Sequence, residues 1–119
     1  MMELQRWREK RGLDFHLKPA HCPFDAKVAD GAIVAAIMAG LDPEPFMRAL
    51  FKGVWESQLN LGDAAVVTDL ANKAGLPGEQ LVKQAGSAEV AAKYEQNRQD
   101  AIATDVFGSP GYVLDGEVF

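Results

Sequence analysis

Cysteine is almost missing from this sequence. Cys22 is the single one among 119 residues, so neither an internal disulfide nor a Cys-x-x-Cys redox pair can form within the chain. Long apolar runs are missing too. The most apolar stretch, AIVAAIMAG at residues 32–40, is far shorter than the ~20 residues that cross a bilayer. The opening MMELQRWREKRG is charged and amphipathic, unlike a signal peptide. Positive charge is in deficit: 12 Lys and Arg stand against 17 Asp and Glu, a net charge of -5. The one basic run, RWREKR at residues 6–11, contains Glu9 and has helical spacing, so it reads as a solvated helix face rather than a phosphate footprint. His16 and His21 with nearby Cys22 match no recognised ligand spacing, and no second cluster accompanies them, so no metal is expected. These absences point to a soluble, cytoplasmic protein with neither nucleic-acid nor membrane partners.

What is present is helix. The apolar fraction of 48% suffices for one core. Leu4 and Trp7 share a helical face over residues 2–11, no capping residue precedes them, and Gly12 stands where a helix would stop. DFHL at 14–17 alternates polar and apolar between loop prolines and predicts a short edge strand. Asp25 caps a helix that is apolar nearly all round, from Val28 to Met38, as buried helices are. Gly40 ends it, and Asp42 with Pro43 restarts the chain. Phe46, Leu50 and Val54 form one stripe, with Met47, Phe51 and Trp55 a second beside it, and both are expected to pack. Trp55, before the polar ESQLN, is also the aromatic best placed to line a cleft. Asn60 to Asp63 predicts a turn, and Asp63 caps a helix with Val66, Val67, Leu70, Ala71 and Ala74 inward. Gly75 stops that helix, Pro77 and Gly78 open a short one, and Ser87 caps a longer one bearing Val90, Ala91, Tyr94, Arg98, Ala101 and Ile102. About six helices follow, with no internal repeat.

The last fourteen residues, VFGSPGYVLDGEVF, differ in kind. Asp115-Gly116 supplies the positive φ angles of a two-residue turn between Gly111–Leu114 and Glu117–Phe119, a strong hairpin signal. Tyr112, Val113, Leu114, Val118 and Phe119 put apolar side chains on both faces, as in strands inside a covered sheet. An isolated hairpin is marginal in water. The expectation is therefore that its partner strands lie outside these residues.

Taken in order, RWREKRGLDFHLKPAHCPFD, AIVAAIMAGLDPEPFMRALFKGVWESQLNLGD, LANKAGLPGEQLV and VFGSPGYVLDGEVF resemble the family of 2-hydroxychromene-2-carboxylate isomerase and kappa-class glutathione transferase. WESQLNLGD and the FGSP loop before an Asp-Gly hairpin carry most of the resemblance. It implies a mostly α chain: the helical insertion domain of a DsbA-like thioredoxin fold at 1–105, with a possible strand at 14–17, then a cis-proline loop and hairpin of an incomplete sheet at 106–119. The N-terminal βαβ unit, with the family's activating serine, is expected to be absent from these residues, so no catalytic residue is expected here and the chain alone should be inactive. Glutathione is the implied cofactor, bound by Gly108, Ser109 and Pro110, with Pro110 in cis. A small aromatic carboxylate is the implied substrate, in a pocket with Phe107, Trp55 and Lys18, the last offering a cation.

Two rivals stand beside this isomerase. A glutathione transferase or disulfide oxidoreductase of the same superfamily would share the fold. A non-catalytic helical module would instead self-associate, as a homodimer, or bind a partner through the hairpin edge. Cys22 is expected to behave as a small buried hydrophobe rather than a nucleophile.

Overall fold

The computed structural model describes residues 1–119. Six helices precede one hairpin: α1 (Met2–Arg11), α2 (Lys27–Met38), α3 (Glu44–Trp55), α4 (Ala64–Lys73), α5 (Gly78–Ala85), α6 (Ala88–Ala103), β1 (Val113–Leu114) and β2 (Glu117–Val118). Their boundaries follow local chemistry. Asp63 Oδ1 accepts from the Ala65 amide at 2.9 Å and Ser87 Oγ from the Val90 amide at 3.2 Å, so both side chains satisfy donors that the first helical turn leaves free. Asp25 and Asp42 act one residue further out, accepting from the Lys27 and Glu44 amides. Gly12, at φ 61°, ends α1 in the left-handed region that glycine enters without a Cβ clash.

The core lies around α2. This helix packs against α3, α4, α5 and α6, which explains why its sequence is apolar on nearly every side. Ala29, Ala32, Val34, Ala35 and Ala36 are buried there with Phe46, Leu50 and Val54 of α3, Val67 and Ala71 of α4, Leu81 of α5 and Val90 of α6. Small residues on α2 let α5 approach closely. A Cβ built on Gly31 would sit 2.8 Å from Ala85 Cβ and 2.9 Å from Ala85 O, with backbone on the other side of the contact.

The ends of the chain project from this core. The radius of gyration is 15.7 Å, above the roughly 13–14 Å of a compact domain this long. Neither α1 nor the hairpin packs backbone-close against another element. On α1 the Trp7 ring is flanked by Lys10 and Arg11, whose cationic groups lie 4.8 and 5.1 Å from its centroid.

Several sequence expectations are corrected. Residues 14–17 form no strand, because no other strand lies alongside to complete a ladder; instead the Phe15 carbonyl accepts from Arg8 Nη1 and the His16 amide donates to the Trp55 carbonyl. The second α3 stripe is not core: Phe51 is 61% exposed and Trp55 38%. On α6 only Val90 is buried, since the helix runs past α2 after its first turns. Leu4 and Trp7 are exposed, and so is Cys22. No helix is long and apolar enough to cross a membrane.

Replacing Gly31 by Ala should lower unfolding stability by about 1–3 kcal/mol, the usual effect of forcing a methyl group into a closed contact. Gly86→Ala, whose Cβ would meet only Lys83 O at 3.9 Å, should stay within about 0.5 kcal/mol. Equal denaturant midpoints for the two variants would contradict a close α2–α5 contact.

Candidate functional site

The stretch WESQLNLGD is a brace in which successive residues have separate tasks. Trp55 ends α3, and its carbonyl accepts from the His16 amide at 2.7 Å. Ser57 and Leu59 turn back, their amides donating to Lys52 and Gly53 carbonyls at 3.0 and 2.7 Å. This reversal places Gln58 at a positive φ of 53°. Its Oε1 then accepts from the Ala20 amide at 3.1 Å, across 38 residues of sequence. Leu61 is buried in the core, Asn60 Oδ1 accepts from the Gly62 amide, and Asp63 caps α4. The brace holds the loop of residues 16–22, with Pro19 buried beneath it. Gln58 gave no recognisable signal in the sequence, because its partner is fixed only by the fold.

Beside this brace lies the largest cleft, an open groove of about 710 Å³ between α1 and α3. Leu4 and Leu13 line one side and Met47, Phe51 and Trp55 the other, with Phe15 among them. Pro43, Glu44, Arg48, Lys52 and Glu56 complete its lining. Arg48 is engaged with Glu44. Trp55 also reaches a smaller apolar cavity of about 220 Å³, which Cys22 and Phe24 line from the loop side. The peptide bond before Pro23 is cis, which the sequence did not suggest, as is the one before Pro110.

The other predicted site residues lie elsewhere. Lys18 is exposed on the braced loop and lines neither cavity. Phe107 is 98% exposed, and Gly108, Ser109 and Pro110 follow it on an exposed loop. Neither backbone group of Ser109 has a hydrogen bond within the chain. Trp55, Lys18 and Phe107 are thus not gathered into one pocket. The hairpin beyond is closed by Asp115 and Gly116 at φ 52° and 83°. Val113 pairs with Val118 and Leu114 with Glu117, and all strand residues are exposed.

A third cleft, of about 400 Å³, separates α2 from α6 and is lined by Asp30, Tyr94 and Arg98 among others. There the Tyr94 hydroxyl donates to Asp30 Oδ2 at 3.4 Å. Arg98 is committed to Glu95 through two contacts of 2.9 and 2.8 Å. The Arg98 hydrogen bonds, then that of Gln99, lower the Glu95 carboxyl to about 2. Because this pKa lies below the unfolded value, the stabilisation, small for so exposed a pair, is present above about pH 4 and is lost as pH falls through about 2.

Two outcomes follow. Cys22, being exposed, should take up one equivalent of a thiol reagent in the folded protein without denaturant; labelling only after unfolding would contradict its placement. Gln58→Ala should raise amide exchange at Ala20 by roughly ten-fold and lower unfolding stability by about 1 kcal/mol, the loss of one hydrogen bond.

Among curated proteins, no sequence matches this one. Among protein families, the one described as DSBA-like thioredoxin domain matches residues 1–119. The helical body and closing antiparallel hairpin agree with a helical domain of that kind. On a match that spans every residue described, the chain belongs to the DSBA-like thioredoxin domain family.

Proposed function

We propose that this chain serves a glutathione-dependent isomerase of the 2-hydroxychromene-2-carboxylate isomerase type, acting on flat aromatic or chromene carboxylates. The observation that carries the reading is the groove between α1 and α3, where Phe15, Phe51 and Trp55 present aromatic surface to a space of about 710 Å³. A space of this size suits a bicyclic aromatic ligand. Family membership agrees with an isomerase, and equally with a transferase or an oxidoreductase.

The loop of residues 107–110 supports glutathione as cofactor. Ser109 leaves its amide and carbonyl free and exposed, so both can pair with a peptide backbone as an added strand would. Gly108 has no atom within 4 Å of where a Cβ would stand, which leaves room for that approach. Bound glutathione would supply a sulfur nucleophile that adds reversibly to a conjugated carboxylate, so that a double bond can rotate. The chain's own residues would act at two separate places, Ser109 and Pro110 on the tripeptide backbone and Trp55 on the aromatic body. Phe107, on the same exposed loop as Ser109, would flank the tripeptide, while Lys18 stays a surface cation on the braced loop.

A second reading, self-association through the hairpin, is favoured by one observation: its strands pack on no helix and keep Tyr112 and Phe119 exposed. Dimers that persist at nanomolar concentration and dissociate on replacing Val113 by Pro would support it.

The test is turnover of a chromene carboxylate by the full gene product. Isomerisation should stop when glutathione is removed and return when it is restored, and Trp55→Ala should raise KM roughly ten-fold. A glutathione conjugate as product would indicate a transferase. Turnover without glutathione, or disulfide reduction alone, would overturn the proposal.

A further inference from the structure

We propose that Lys52 determines the charge specificity of the α1–α3 groove by holding the carboxylate of an aromatic acid; the inference rests on the groove being the aromatic site. Four ionisable groups line the groove, and all come from one face of α3 and the residue after it: Glu44, Arg48, Lys52 and Glu56. They do not contribute alike. Arg48 and Glu44 are paired with each other, so their charges are mutually satisfied. Lys52 has no carboxylate within 4.0 Å, although Glu56 stands one helical turn away. That spacing, with the lysine preceding the glutamate, is the weaker orientation for a helical ion pair.

Lys52 is thus the one cation in the groove without an acidic partner, and it sits next in sequence to Phe51 and one turn from Trp55. A ligand with a flat apolar body and one carboxylate fits this arrangement. Its ring meets Phe51 and Trp55, and its carboxylate meets the ammonium group, whose three donors impose little geometric demand. A neutral analogue of equal shape keeps the ring contacts and forgoes the ion pair. Because the groove is open, the charge contributes modestly: exposed ion pairs amount to a factor of about 5 or less. Added salt should weaken it further. Lys52 would therefore act on recognition rather than on the bond-making step, as a specificity-determining residue outside the glutathione loop.

The experiment follows Trp55 fluorescence in a Trp7→Phe background, titrating 2-naphthoate against 2-naphthamide. The naphthoate should bind about 3- to 5-fold more tightly at low salt, and this preference should fade at high salt. Lys52→Gln should abolish the preference while leaving naphthamide affinity unchanged, and Lys52→Arg should keep it. Equal affinity for the two probes, or a preference that survives Lys52→Gln, would overturn the role of Lys52 and leave the aromatic groove standing. No quenching by either probe would overturn the groove reading and the inference together.

Discussion

Close packing of α5 onto α2 at Gly31 is the constraint on which the rest of the structure depends. An added methyl group would meet Ala85 at 2.8 Å, so the two backbones lie nearer than ordinary side chains permit. With that approach made, Leu81 of α5 enters the core and is 1% exposed. The remaining sides of α2 are then taken by α3, α4 and the start of α6. Alanines along α2 serve this arrangement, since they pack at short range and lose no side-chain entropy on burial. The hydrophobic effect supplies the drive, but the shape of the contact decides which helices surround which.

From this body, polar contacts reach outward and position the loops. The segment after α3 reverses direction through backbone hydrogen bonds to Lys52 and Gly53, and Gln58 uses the reversal to hold the loop at Ala20. That loop follows Phe15, which the carbonyl contact to Arg8 keeps close to α1. The groove is consequently a by-product of three anchors: α3 seated in the core by Phe46 and Leu50, the loop held by Gln58, and α1 held by Arg8. Its aromatic lining stays half open because the buried stripe of α3 is already used against α2 and α4.

The hairpin is governed differently. Its turn is local chemistry, Asp115 and Gly116 at positive φ, and two amide–carbonyl contacts between Tyr112 and Phe119 close its open end. No core contact contributes. The preceding loop is left with the backbone groups of Ser109 unpaired within the chain.

Much of the fold was determined by the sequence alone, because its signals are local. Asp63 and Ser87 cap helices through their own side chains, Gly12 ends one by entering the left-handed region, and Asp115-Gly116 dictates a tight turn; each depends on a few neighbouring residues. The apolar surround of α2 also announced a buried helix. Periodicity, however, states which side chains share a face and not what covers that face. Phe51 and Trp55 therefore share a stripe expected to pack and are found exposed, with Trp55 lining the groove. The 14–17 segment has strand composition, yet a strand exists only where another backbone completes its hydrogen bonds. Gln58 and Lys52 were illegible for a related reason. Gln58 acts across 38 residues, and Lys52 matters only because Arg48 found a partner and Lys52 did not. The tertiary structure decided these points, since each turns on what lies nearby in space.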